Sequence, residues 1–383
     1  MTPKDMLTNP QFCPMPWTGL MYNFDGKIKN CIRSVDTLPI GNINNTPIEQ
    51  IVLGKENINR QTAIINQTTV PSCQTCYDLE RGKTGFDIIS DRIFYIRELK
   101  KVPVETYNTG NFDLQTIDVR WSNLCNFACV YCGPEFSSKW ASELSIAIDR
   151  PSDQQLQNFT KYIYQHASKL KHVYLAGGEP LLMKENLDLL HKLNPDVQLR
   201  INTNLSKVDT RIFDRVQEFK NVHWTVSVES MHDQFDYIRF GGNWQDFLNN
   251  LNVIQKLDHK ITFNMLYFLL NYNSVFDCVD YLKMLGFHNN SFVIGALLNP
   301  PYLNVRHLPD DMLNLLKRKL ENKINKNPGY LLEDSYRNML YYIQQPFEKN
   351  LSNSFDQLAK LDQRRNLDSS KIFKDLYNFK EGN

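Results

Sequence analysis

The sequence predicts an α/β protein: a partial (β/α)6, TIM-like barrel preceded by a small α+β module and followed by a helical tail. Three observations carry this expectation. Short apolar runs alternate with longer amphipathic stretches from about residue 115 to about residue 300. The unusual polar residues fall where the strand-like runs end. The first 110 or so residues break the alternation and hold four of the eight cysteines. Strand and helix periods that exchange in this way argue for βαβ units and a parallel sheet.

The elements follow in order. QTIDVRWS opens the alternation at 115–122, and the amphipathic QLQNFTKYIYQHASKL follows at 155–170. HVYLAGGEP, KENLDLLHKL, VQLRINTN, TRIFDRVQEF and HWTVSVES continue it to residue 230. WQDFLNNLNVIQKL, KITFNMLYFLL, VFDCVDYLKMLGF and SFVIGALLNPP complete about six strand and helix pairs. In such sheets the functional residues collect in loops beyond the carboxyl ends of the strands.

Upstream, TGLMYNFDGKIKNC reads as a hairpin with its turn at Asp25 and Gly26. SDRIFYIRELKKV, at 90–102, reads as a helix. This region has too little apolar periodicity for a large core, so a metal staple would explain its folding. From PDDMLNLLKRKLENKINKN onward the chain reads as helices with polar faces and a mobile end. The expected domains are 1–112, 113–308 and 309–383.

Of the 383 residues, 42% are hydrophobic and 22% charged, the balance of a globular protein with a real core. A formal charge of +1 gives no global attraction to nucleic acid or an anionic membrane, and neither is expected as a partner. MTPKDMLTNPQFCPMPW lacks a basic segment followed by an apolar run, and no stretch approaches the roughly 18 apolar residues of a spanning helix. The expected location is cytoplasmic. In that reducing compartment eight cysteines point to metal or catalytic chemistry rather than disulfides.

Cys125, Cys129 and Cys132 stand at C-x3-C-x2-C in SNLCNFACVYCGP, with no fourth cysteine near. Three thiolates leave one coordination position open, which a structural site has no use for. By spacing alone the triplet also suits zinc with a fourth ligand from elsewhere. About 45 residues downstream, GGEP ends a strand-like run. Cys278, in VFDCVDYL, reads as a small buried hydrophobe on a helix face.

Taken together, the triplet and GGEP resemble the radical S-adenosylmethionine (SAM) superfamily. The resemblance implies a four-iron cluster whose open iron is chelated by SAM, and one-electron cleavage of SAM to a 5′-deoxyadenosyl radical that abstracts hydrogen from a substrate. It also implies roles for single residues. Tyr131 takes the aromatic position near the adenine, and Gly177, Gly178, Glu179 and Pro180 take the backbone and acceptor positions for the SAM amino group. Asn204 and Ser227 match polar positions at the next strand ends, and Arg239 an arginine that pairs with the SAM carboxylate. Glu229 stands where Asp is more usual.

Cys13, Cys31, Cys73 and Cys76 are spaced as C-x12-G-x4-C followed by C-x2-C. This is similar to the first part of the SPASM or twitch pattern, which implies an N-terminal iron–sulfur module with one auxiliary four-iron cluster. The module here precedes the barrel, whereas SPASM segments usually follow it. A structural zinc is the alternative for these four thiolates. The layout, including ERGKTGFDIISDR and NPPYLNVRHLP, is similar to twitch-domain radical SAM proteins of bacteria and phages. The resemblance implies an electron donor such as flavodoxin or ferredoxin, and a peptide or protein side chain as substrate. A sugar or nucleotide-like metabolite is the alternative substrate, and a zinc-stapled, non-catalytic binding protein the alternative of a different class.

Overall fold

The computed structural model describes residues 9–81, 90–98 and 104–378. Most of ERGKTGFDIISDR and the end of the expected 90–102 helix lie outside the described residues, as do the last five residues of the tail. The fold is mixed α/β with a largely parallel sheet, as expected, and it divides into two compact units.

The first unit comprises residues 1–123, 147–201 and 211–222. Its strands are β1 (Gly19–Tyr22), β2 (Lys27–Lys29), β3 (Gly41–Asn42), β4 (Thr116–Val119), β5 (His172–Leu175) and β6 (Gln198–Thr203), in spatial order β3-β2-β1-β4-β5-β6. The expected hairpin is β1 with β2, and Gly26 takes its turn at φ +86°. That conformation costs glycine little. β1 also pairs in parallel with β4, so the hairpin and β3 extend the sheet. β4–β5 and β5–β6 are parallel.

One face of these strands is apolar: Tyr22, Val119, Leu175 and Ile201 lie in one row across β1, β4, β5 and β6. The helix Asp153–His166 covers this face, its Phe159 ring 4.5 Å from Tyr22 and 5.9 Å from Trp121. A full capping box at Ser152 and Gln155 starts that helix.

The second unit comprises residues 124–146, 202–210 and 223–383. Its parallel strands are β7 (Asn221–Ser227), β8 (Lys260–Tyr267) and β9 (Phe292–Ala296). β4 to β9 are thus the six strand-like runs of the sequence. Phe263, Met265 and Tyr267 are fully buried on β8, and the helices Trp244–Gln255 and Ser274–Met284 bury their apolar stripes. Cys278 is fully buried on the second of these.

Downstream lie the helices Asp310–Lys326, Leu331–Ile343 and Leu351–Arg365. The first buries Met312, Leu316, Leu320 and Ile324, a stripe at i, i+4 that accounts for its polar remainder. Among the described residues no helix is long and apolar enough to cross a membrane.

Candidate cluster and cofactor site

In the second unit the loop carrying the cysteine triplet is fixed at several points. Ser138 Oγ donates to the Cys125 carbonyl at 3.1 Å, and Ser137 Oγ donates to the Phe127 carbonyl while capping the helix Ser138–Leu144. The Trp140 indole donates to the Cys129 carbonyl at 2.7 Å. Ala128 and Val130 bond through their N–H groups to the carbonyls of Phe240 and Ile238. Gly242 permits this approach, because a Cβ there would lie 2.8 Å from the Phe127 ring.

The sulfurs face donors. Phe127 N–H and Asn204 Nδ2 lie 3.5 Å and 3.7 Å from Cys125 Sγ, and Arg239 Nη1 lies 4.0 Å from Cys129 Sγ. Burial pushes the Cys129 thiol up from its ordinary value, and the Arg239 guanidinium pulls it back down. Three thiols in one loop, with N–H groups on their sulfurs, form a donor set suited to a thiolate-ligated cluster, whose sulfurs accept such bonds.

Beneath them lies a buried charge pair. Arg239 bonds Glu229 through Nε at 2.7 Å and Nη2 at 2.8 Å, and the two side chains are only 3% and 1% exposed. Tyr131 donates to the same carboxylate at 3.0 Å and meets Phe268 edge to face at 5.7 Å. Asn271 ties the Glu229 carbonyl to that of Leu266. Arg239, expected to meet a SAM carboxylate, thus has two of its three nitrogens on Glu229.

Asn204 also donates to Asn126 Oδ1, which accepts from Ser206 as well. Ser227 is half-buried at the end of β7. The tail contributes too: Arg365 lies over the rings of Trp140 and Phe240, at 4.4 Å and 4.3 Å, and pairs with Glu143 at 3.1 Å. Asn126, Trp140 and Arg365 are not among the residues the sequence singles out, and Glu229, noted there only for standing where Asp is more usual, is the partner of Arg239. A Ser-Ser pair followed by Trp two residues later was the available signal for the helix Ser138–Leu144.

In the first unit, GGEP follows β5. Gly177 has φ +113°, and a Cβ there would meet the Ser122 carbonyl at 3.1 Å. Gly178 N–H bonds that same oxygen. Glu179 is fully buried and accepts from Leu181 N–H at 3.1 Å, capping the turn Pro180–Leu182. Asn186 holds the Pro180 carbonyl and accepts from the Trp121 indole.

The N-terminal cysteines also belong to this unit. Cys13 and Cys76 are buried, Cys31 and Cys73 half-buried, and none is in a disulfide. Cys13 belongs to an apolar cluster with Phe12, Met15, Trp17, Ile64, Val70 and Tyr107, against which Cys31 and Cys73 pack. Burial, then Cys73 and Cys76, pushes the Cys31 thiol up to about 12. Arg60 and Arg92 oppose burial at Cys73. Among the described residues no three His, Cys, Asp or Glu side chains are gathered to hold a single metal ion. Three of the four thiols meet at this one apolar cluster, with Arg60 and Arg92 beside Cys73, a donor set that suits an anionic multi-iron centre.

Comparison with known proteins identifies two regions. Residues 119–282 match the radical SAM superfamily, and residues 13–77 match SPASM, an iron–sulfur cluster-binding domain. The chain is similar to the GTP 3',8-cyclase of Listeria welshimeri serovar 6b, 25% identical over 145 residues, 37% of this chain and 41% of that protein. It is similar to the GTP 3',8-cyclase of Sulfurimonas denitrificans, 24% identical over 168 residues, 42% and 50% of the two. The chain thus spans half or less of the length of these curated relatives. Among solved structures, native anSMEcpe with bound AdoMet has 18% identity and a TM-score of 0.41 over 55% of this chain and 60% of that chain. Streptococcus suis SuiB bound to precursor peptide SuiA has 13% identity and a TM-score of 0.41 over 70% and 60%. The chain belongs to the radical SAM superfamily and carries its SPASM iron–sulfur domain ahead of the radical SAM region.

Proposed function

We propose that this chain is an enzyme that reductively cleaves SAM at a four-iron cluster held by Cys125, Cys129 and Cys132, and abstracts hydrogen from a bound substrate. When bound, the cluster supplies the electron and SAM supplies the 5′-deoxyadenosyl radical. The chain's own residues hold and orient. Asn204, Arg239 and the Phe127 N–H steady the sulfurs, and Tyr131 and Phe268 form an aromatic wall. Gly177, Gly178, Glu179 and Pro180 offer backbone to the SAM methionine group, with Asn204, Ser227 and Arg239 as further SAM contacts. Cys13, Cys31, Cys73 and Cys76 hold an auxiliary cluster. The domains run 1–112, 113–308 and 309–383, a flavodoxin or ferredoxin delivers the electron, and eight free cysteines suit the cytoplasm.

The observation that supports this most is the open triplet, with N–H groups on its sulfurs and a buried Glu229–Arg239 pair behind it. For the substrate we take a peptide or protein side chain, on the strength of the SPASM domain. A nucleotide-like metabolite is the second reading, favoured by the similarity to GTP 3',8-cyclases. Anaerobic reconstitution with iron and sulfide, iron counting and an assay for 5′-deoxyadenosine test the proposal. About eight irons per chain and SAM cleavage are expected. A chain that takes up zinc alone, or that holds iron and leaves SAM intact, overturns it.

A further inference from the structure

The face of the first-unit sheet opposite its apolar row carries charge. Strand register sets Lys29, Met21, Asp118, Tyr174 and Arg200 side by side across β2, β1, β4, β5 and β6. Arg120 follows Asp118 by two residues on the same side and pairs with it at 3.3 Å. Such a row is foreign to a sheet face that only packs, where alternating residues are apolar.

The row is held together yet incomplete. Asp118 is 7% exposed; one of its oxygens takes Arg120, and the other, Oδ1, is buried with no hydrogen-bond partner among the described residues. Arg120 Nε is buried without a partner as well. Leaving such groups unpaired is costly, the more so when they are charged. Lys29 is engaged by Asp36 and the Ser34 carbonyl, so it serves the strand. Arg200 is exposed, with its guanidinium 5.1 Å from the centre of the Tyr174 ring, and it acts electrostatically on both Asp118 and Tyr174.

The row also has a telling position. The strands that carry it lead to both motifs: Lys29 stands two residues before Cys31, and Tyr174 three before Gly177. Two guanidinium groups near one another select planar or tetrahedral oxyanions, and the open carboxylate oxygen selects a neighbouring N–H or O–H.

We propose that Asp118, Arg120, Tyr174 and Arg200 form the substrate-recognition row, taking a substrate that carries a carboxylate or phosphate next to a hydrogen-bond donor. This rests on the radical SAM reading above. Arg120 and Arg200 grip the anionic group, Tyr174 stands between Asp118 and Arg200 in the strand register, and Asp118 Oδ1 accepts from the donor.

The test is calorimetric binding of inorganic pyrophosphate and of succinate to the reconstituted full chain, alongside the assay of SAM cleavage without substrate. Wild type is expected to bind at least one of the two anions, and the tighter one names the source. Arg200→Gln, at an exposed position, is expected to weaken that binding by about tenfold or more, the scale of a lost charge-assisted pair. SAM cleavage is expected to persist in that variant. Arg120→Gln is expected to weaken it likewise, with circular dichroism checking its fold. Binding of neither anion, or equal binding by wild type and Arg200→Gln, overturns the row while leaving SAM cleavage to judge the proposed activity.

Discussion

Removing Glu229 is expected to cost more than removing its partner. The Glu229–Arg239 pair is bidentate, at 2.7 and 2.8 Å, and almost wholly out of water. Breaking a buried pair by deleting one side strands the other, at about 3–5 kcal/mol. The two deletions differ in what they leave behind. A stranded carboxylate sheds its charge by taking up a proton, whereas a stranded guanidinium stays charged. Glu229→Ala also removes the acceptor of the Tyr131 hydroxyl. It is therefore placed at the upper end of that range, and Arg239→Ala at the lower end.

Urea unfolding of the cluster-free chain, followed by tryptophan fluorescence, measures this. Trp140, Trp224 and Trp244 are buried in the affected unit. At m values near 3 kcal/mol/M, the larger cost lowers the midpoint by roughly 1–2 M. Glu229→Leu combined with Arg239→Met is expected to recover most of the loss, because an apolar pair strands no charge. The reasoning fails if Arg239→Ala is the costlier variant, or if both cost less than about 1 kcal/mol.

Alanine at Cys125, Cys129 or Cys132 is expected to abolish 5′-deoxyadenosine formation and to lower iron by about four per chain; product from any of the three removes the triplet from the site. Gly177→Ala forces a Cβ onto a backbone at φ +113° and to 3.1 Å from a carbonyl oxygen, so thermal unfolding should register a loss of about 1–3 kcal/mol. An unshifted melting temperature contradicts the strain. Burial lowers the His172 pKa, with Glu98 opposing it. The unfolded state then binds the proton more readily, so this stability is present above about pH 6.5 and lost as pH falls through the folded pKa. His172→Gln should flatten the fall in urea midpoint between about pH 6.5 and 5; a slope as steep as wild type refutes the assignment.

Local signals made much of the fold legible. The first four barrel strands are short apolar runs ended by a polar motif, and Asp25-Gly26 marks its hairpin because a positive φ is needed there. The cysteine triplet and GGEP were legible because their spacing is itself the signal. What stayed hidden depends on partners distant in sequence. β1 beside β4 joins residues almost 100 apart, and no local pattern announces parallel pairing. From sequence Arg239 stands alone as a contact for SAM, because its pairing with Glu229 is visible only once α and β segments close. Arg365 reaches Glu143 from the tail, 222 residues away. The charged row needed the register of five strands before its members could be seen as neighbours.

The two cysteine groups meet one electrostatic problem in different ways, and the difference is testable. Thiolate-ligated clusters are anionic, and a buried negative charge needs a cation nearby. At Cys129 the cation is Arg239, already offset by Glu229. At Cys73 it is first Arg60, which is held by neutral acceptors: Asn30 Oδ1 at 2.9 Å, Ser34 Oγ at 3.3 Å and the Leu38 carbonyl. These orient the guanidinium without cancelling its charge. Reduction adds an electron, so a cation that is not cancelled favours the reduced cluster and raises its potential. Arg60→Gln, which retains donors toward Asn30, is expected to lower the potential of the auxiliary cluster in a redox titration followed by electron paramagnetic resonance. The cluster of the Cys125 triplet should keep its potential. A fall at both clusters, or at neither, would show that Arg60 only packs the module.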